Sequence, residues 1–154
     1  MMMEIRSPAF GYGEPIPLRY TGLGQDVSPP LEWNGMPEKT KSLVLIVEDP
    51  DAPSGIWTHW LVYEISPKRT SLAEDQPKTQ YLPGGARQGL NDFGRLGYGG
   101  PMPPRGEPHR YFFRLYALDA VLDLKPGLRR SKLLRLIEPH KFAEAHWMGT
   151  FQRL

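Results

Sequence analysis

The sequence predicts one predominantly β domain with few helices, spanning residues 1–154. Two observations carry that expectation. Seventeen prolines and sixteen glycines cut the chain into short segments, which favours strands and turns over long helices. Three longer runs, residues 42–47, 59–65 and 110–118, are rich in the β-branched, leucine and aromatic residues that suit a packed pleated surface. A chain of this length can bury a real core without disulfides or metals.

Taken in order, residues 5–10 and 16–20 read as short strands. Ser28-Pro29-Pro30-Leu31-Glu32-Trp33-Asn34-Gly35 reads as a rigid entry, a short strand and a turn. The apolar run 42–47 has the continuity of a central strand covered on both faces, and Glu48 after it is expected at the surface. In 59–65, strict alternation puts Leu61, Tyr63 and Ile65 on one face and Trp60 and Val62 on the other. Residues 82–108 hold half of the glycines and no regular pattern, a length of irregular chain usually kept for function or left disordered. Leu90, Phe93, Leu96 and Tyr98 favour a packed loop. Residues 131–138 form the one good helix, with Ser131 as its N-cap and Pro139 limiting its far end. Alternation over 142–151 suits a closing strand.

Composition removes several function classes. A net charge of +2 is too small to indicate a nucleic-acid partner, and the cluster Arg129, Arg130, Lys132 and Arg135 reads as a solvated helix face. With no cysteine, disulfides, thiolate chemistry and cysteine-based zinc sites are excluded. No apolar run approaches the ~20 residues of a membrane-spanning helix, and no signal peptide is visible. No integral membrane association is therefore expected, and the expected location is cytoplasmic.

The chemistry concentrates where strands meet Pro/Gly loops. Asp49-Pro50-Asp51-Ala52-Pro53 follows the central run, and proline cannot continue a ladder. A carboxylate there, with a histidine close behind in Trp57-Thr58-His59-Trp60, reads as one wall of a site. Asp49 and Asp51, Trp57 and His59, and His109 and Tyr111 are three pairs of equal strand parity. If the strand ends lie side by side, carboxylate, imidazole, phenol and indole groups converge on a pocket. Each residue also has a plainer role open to it: Asp49 as a turn cap, His59 as a core histidine, His109 as a turn residue, and Trp57 and Tyr111 as core aromatics. His140 and His146 lack such company and read as structural or surface residues.

These residues resemble the phosphatidylethanolamine-binding protein family, which includes the Raf kinase inhibitor proteins, and most of all its bacterial and archaeal branch. The resemblance rests on Ser28-Pro29-Pro30-Leu31, the Asp-Pro-Asp-Ala-Pro turn, Trp57-Thr58-His59-Trp60, Tyr98-Gly99-Gly100-Pro101 with Pro103-Pro104, and His109-Arg110-Tyr111, and runs from about Phe10 to Phe151. It implies a large antiparallel sheet packed on a smaller one, with peripheral helices, and a pocket for a phosphate-like head group. By position, Asp49, His59 and His109 would form its polar floor. Trp57, Tyr111, Gly100, Pro103 and Pro104 would form its wall and lip, with Asp51 in support. Pro101 and Met102 stand where animal members carry smaller residues, which implies a narrower lip. The chain ends at Leu154 without the C-terminal helix that borders the pocket in animal members, which implies a more open mouth. Lipid or kinase specificity does not carry over.

The functional expectation is a small-anion binding protein with a regulatory role, not an enzyme, with no catalytic residue, metal or cofactor. Two imidazoliums would supply the donors, and binding would depend on pH around neutrality. A rival is inhibition of a protease or kinase through a rigid loop edge. A second is a metal-dependent hydrolase using Asp49, His59 and His109 as a two-histidine, one-carboxylate set. The absence of Gly-x-Ser-x-Gly argues against a serine hydrolase, and Ser54 has nothing around it in sequence to activate it. A homodimer is open.

Overall fold

The computed structural model describes residues 2–154. Strand β1 (Glu4–Arg6) pairs antiparallel with β2 (Leu31–Asn34). The other strands are β3 (Ser42–Asp49), β4 (Trp57–Ile65), β5 (Ser71–Leu72), β6 (Arg87–Gln88), β7 (His109–Leu118) and β8 (Lys141–Phe151). One helix, α1 (Arg130–Ile137), precedes β8. A small sheet has the order β1-β2-β5, and a large one the order β6-β4-β3-β7-β8; every pairing is antiparallel. The mostly-β expectation and the two-sheet arrangement both hold.

Central β3 explains why the run after Ser42, Leu43 to Val47, is apolar throughout: all residues of the strand are buried. On one face Leu43, Leu45 and Val47 join Phe113 and Leu115 of β7 and Ile5, Leu31 and Trp33 of the small sheet in the main core. On the other, Val44 and Ile46 join Leu61 and Tyr63 of β4 beneath Leu133 and Ile137, one turn apart on α1. Glu48 follows that second face. It is buried, not exposed as expected, because α1 brings Arg130 over it, with Nη2 3.3 Å from both carboxylate oxygens.

Four local expectations are corrected. Residues 16–20 form no strand: Pro15 bridges Thr150 of β8, and Leu18–Tyr20 winds into a 3-10 turn, since Pro15 and Pro17 cannot donate to a ladder. Residues 5–10 are strand only to Arg6. The helix starts one residue before Ser131, and its N-cap is Arg129 in extended conformation, without a side-chain cap. Ile65 lies with Trp60 and Val62 in the main core, because a bulge between Leu43 and Leu45 leaves Glu64 at φ 56° and reverses the alternation.

Candidate functional site

Antiparallel pairing sets the C-terminal end of β3 beside the starts of β4 and β7, with Asp49 opposite Trp57 and Glu48 opposite Phe112. Asp49, Trp57, His59, His109 and Tyr111 are thereby brought to one cavity of about 230 Å³. Pro103 and Pro104 line its rim, with Ala52, Pro53 and Ser54 from the turn after β3 and Phe93 and Met102 from the long loop. The loop is packed, as its apolar residues led one to expect. Tyr98 is buried and donates to the Tyr20 carbonyl at 2.6 Å, and Phe93 lays its ring edge against Trp57 and His59 at 5.5 and 5.6 Å between centroids.

The aim of His59 depends on an irregularity. Val47 faces Trp60 while Glu48 faces Thr58, so His59 is the extra residue of a bulge. Strict alternation would send His59 to the same face as Leu61, beneath α1. The bulge turns it to the main-core side, where its ring stands edge-on to Tyr111 at 5.2 Å. Gly99 fixes it there: its N–H donates to the His59 carbonyl at 2.9 Å, and His59 Nδ1–H donates to the Gly99 carbonyl at 2.6 Å. A Cβ on Gly99 would stand 2.6 Å from the Phe93 ring, so the close approach needs glycine.

His109 is oriented by Asp49, its Nδ1–H donating to Oδ2 at 2.6 Å. Asp49 Oδ1 accepts from the Asp51 backbone N–H at 2.7 Å, so both carboxylate oxygens have partners. The two-histidine, one-carboxylate metal set is not assembled: among the described residues no three of His, Cys, Asp and Glu are grouped to hold a metal. Each histidine spends Nδ1 on protein and keeps Nε2 free of protein hydrogen bonds on the cavity side.

Burial holds the His59 imidazole below the ordinary histidine range, against the raising influence of the Gly99 carbonyl and of Asp49, Asp92 and Asp26. Burial thus favours the neutral ring at His59, against the expectation of two charged imidazoles. Tyr111 is shifted the other way: burial, with Asp49 and Asp51 adding to it, raises its phenol far above its ordinary value, so it keeps its proton. Among the described residues, two buried donors on cavity-lining side chains, Tyr111 O–H and Trp57 Nε1–H, have no hydrogen-bond partner. Among the described residues no lysine or arginine lines the cavity.

Two expected residues stand back from the cavity. Asp51 turns to Arg110, accepting from Nε and Nη2 at 2.9 Å each and tying the Pro-rich turn to β7; that pairing lowers its carboxyl. Gly100 is a structural position: its N–H donates to Asp26 at 2.7 Å, and a Cβ there would meet the Tyr20 carbonyl at 2.4 Å. Sequence reasoning missed Phe93 and Met102 as lining residues, having read Phe93 only as a loop anchor and Met102 only as a bulky lip. Ser54 also lines the cavity, exposed and without a hydrogen bond to either histidine.

Residues 6–152 match the family profile described as phosphatidylethanolamine-binding protein. The chain belongs to the phosphatidylethanolamine-binding protein family. A UPF0098 protein of Methanothermobacter thermautotrophicus is 51% identical over 151 residues, 98% of this chain and 99% of the relative. One from Aquifex aeolicus is 48% identical, covering 99% of this chain and 90% of the relative. Among solved structures, a putative phosphatidylethanolamine-binding protein homolog from Chlamydia trachomatis superposes with TM-score 0.90 at 44% identity, covering 99% of both chains. Escherichia coli YbcL, described as a new member of the mammalian family, gives TM-score 0.93 at 33% identity over 100% of both. The bacterial and archaeal leaning of the resemblance is thus matched. Among the described residues no helix is long and apolar enough to cross a membrane. As a phosphatidylethanolamine-binding family member, this chain closes one side of the cavity with Met102, whose side chain also rests on Gly22.

Proposed function

We propose that the protein is a receptor for a small oxyanion of the phosphate type, with a regulatory role and no chemistry of its own. One observation carries this: Trp57 Nε1–H and Tyr111 O–H are buried without partners at a cavity they both line. A buried donor left unpaired costs about 1–3 kcal/mol, and an anionic oxygen between the two would remove both penalties. With no lysine or arginine present, the positive charge falls to His109. As an imidazolium it would donate Nδ1–H to Asp49 and Nε2–H to the ligand.

Calorimetric titration with inorganic phosphate tests the reading. Saturable binding is expected, and its absence would overturn the reading. His109→Ala is expected to abolish binding while the far-ultraviolet spectrum stays near wild type, since this side chain lies outside both cores, with a lowered unfolding midpoint from the buried Asp49 oxygen left unpaired. Unchanged affinity in that variant would put the site elsewhere.

A further inference from the structure

The anion reading leaves one group unexplained. His59 donates Nδ1–H to a backbone carbonyl, and a carbonyl oxygen has no proton to give back. The neutral ring therefore holds its proton on Nδ1, and Nε2 is a bare lone pair. That lone pair belongs to a ring that is 3% exposed, makes no protein hydrogen bond through Nε2 and lines the cavity with the two unpartnered donors. Around the ring stand the Gly99 carbonyl, the edge of Phe93, the protonated phenol of Tyr111 and, further off, Asp49, Asp92 and Asp26. None of these carboxylates bonds to it. Burial opposes a charge on it. An oxyanion with only bare oxygens would thus set a lone pair against a lone pair there.

We propose that the cavity selects oxyanions that still carry a hydroxyl, singly charged phosphate monoesters and hydrogen phosphate, because it presents one obligate acceptor, His59 Nε2, among its donors. The ligand's P–O–H donates to His59 Nε2. Its charged oxygens accept from Trp57 Nε1–H, Tyr111 O–H and protonated His109 Nε2–H. The inference rests on the anion reading and names its ligand class: sulfates and sulfate esters have no proton to offer near neutrality, and neither does a phosphodiester. Of the two sources of a phosphate group, a monoester or free phosphate fits, and the diester of an intact phospholipid does not. The neutral walls formed by Phe93, Met102, Pro103 and Pro104 are compatible with a single charge and a small apolar substituent.

The deciding comparison is methyl phosphate against methyl sulfate in the wild-type protein at about pH 5.5, where a phosphate monoester is mostly singly charged. The two have like shape and charge and differ by one proton. Methyl phosphate is expected to bind about ten-fold tighter or more, the cost of setting a bare oxygen against an acceptor lone pair in the cavity. Dimethyl phosphate, standing for a phospholipid diester, is expected to fall with methyl sulfate, and inorganic phosphate with methyl phosphate. Equal affinity for methyl phosphate and methyl sulfate, or for the mono- and diester, overturns the proton-acceptor role while leaving anion binding intact. No binding of any of the four overturns the anion reading beneath it. His59→Gln, which can place an amide N–H where Nε2 stood, is expected to erase the preference. A folded variant that keeps it overturns the assignment. Nitrogen-15 spectra of the free wild-type protein give a check independent of any variant: His59 Nε2 is expected as an unprotonated ring nitrogen, and a protonated one overturns the proposal.

Discussion

His59 shows how much of the site is settled by single atoms. Its Nδ1 proton is committed to Gly99, its ring is clamped between Phe93 and Tyr111, and burial favours its neutral form. That neutrality has a consequence for stability. The unfolded chain takes up a proton on this histidine near the ordinary ~6.5, and the folded chain does so only at lower pH. Between those values the unfolded state binds more protons, so stability rises with pH. The contribution is whole above about pH 6.5 and is lost as pH falls below it. Urea unfolding of wild type is therefore expected to lose more stability between about pH 7.5 and pH 5 than His59→Gln does. Parallel losses would show that His59 is not a source of the acid sensitivity. What the sequence made legible at this scale was residue type and parity: Asp49, His109 and Tyr111 fall where strand alternation puts them. The aim of His59 was not legible, since it follows from one extra residue in a ladder. Phe93 was not either, since its ring arrives from a loop.

At the scale of elements, the long loop is the part that sequence could flag but not build. Its glycines and prolines announced an irregular connection of functional size. Its path is set by contacts distant in sequence: Tyr98 on the Tyr20 carbonyl, Gly99 on His59, and Gly100 on Asp26. These pin the segment that carries Met102, Pro103 and Pro104 to the cavity rim. Gly100 is the tightest of them, and its closest neighbour is a backbone carbonyl, which cannot rotate aside. Gly100→Ala would place a Cβ 2.4 Å from the Tyr20 carbonyl oxygen and 2.8 Å from Asp26 Oδ1. The expected result is a destabilisation of about 1–3 kcal/mol in urea, as for overpacking in a dense core. Phosphate affinity should weaken with it, because the rim moves with the strained loop although Gly100 itself lies outside the cavity. Loss of stability with unchanged affinity would show that the rim is held by other contacts. The strands were easier to read, because period-two burial and β-rich composition act locally. The helix cap was harder: Arg129 enters α1 without any side-chain capping bond, so no N-cap signal marks its start.

Across the whole molecule, β3 and its neighbours divide two tasks between two faces. The face toward the small sheet carries the main core and, at its end, the cavity; the face under α1 carries the smaller core and the Glu48–Arg130 pair. The sequence disclosed that 42–47 is covered on both sides. It did not disclose which covering lay on which side, because Glu48, read as a surface residue, is one of the few marks of the helical face. This division predicts that stability and binding can be separated. Leu133 is fully buried between α1 and β3–β4, and Leu133→Ala removes it from the smaller core only. Such truncations cost about 2–5 kcal/mol. Because both faces share the same five strands, that loss should appear in one cooperative transition, with tryptophan fluorescence and far-ultraviolet dichroism giving coincident curves at a lower midpoint. Phosphate affinity in the folded variant should remain within about two-fold of wild type, a difference worth roughly 0.4 kcal/mol, since no residue lining the cavity belongs to the smaller core. A biphasic transition would show that α1 and its core unfold apart from the sheets. A large change in affinity would show that the two faces are coupled through β3, with Glu48 and Asp49, adjacent in sequence and opposite in facing, the first place to look for the link.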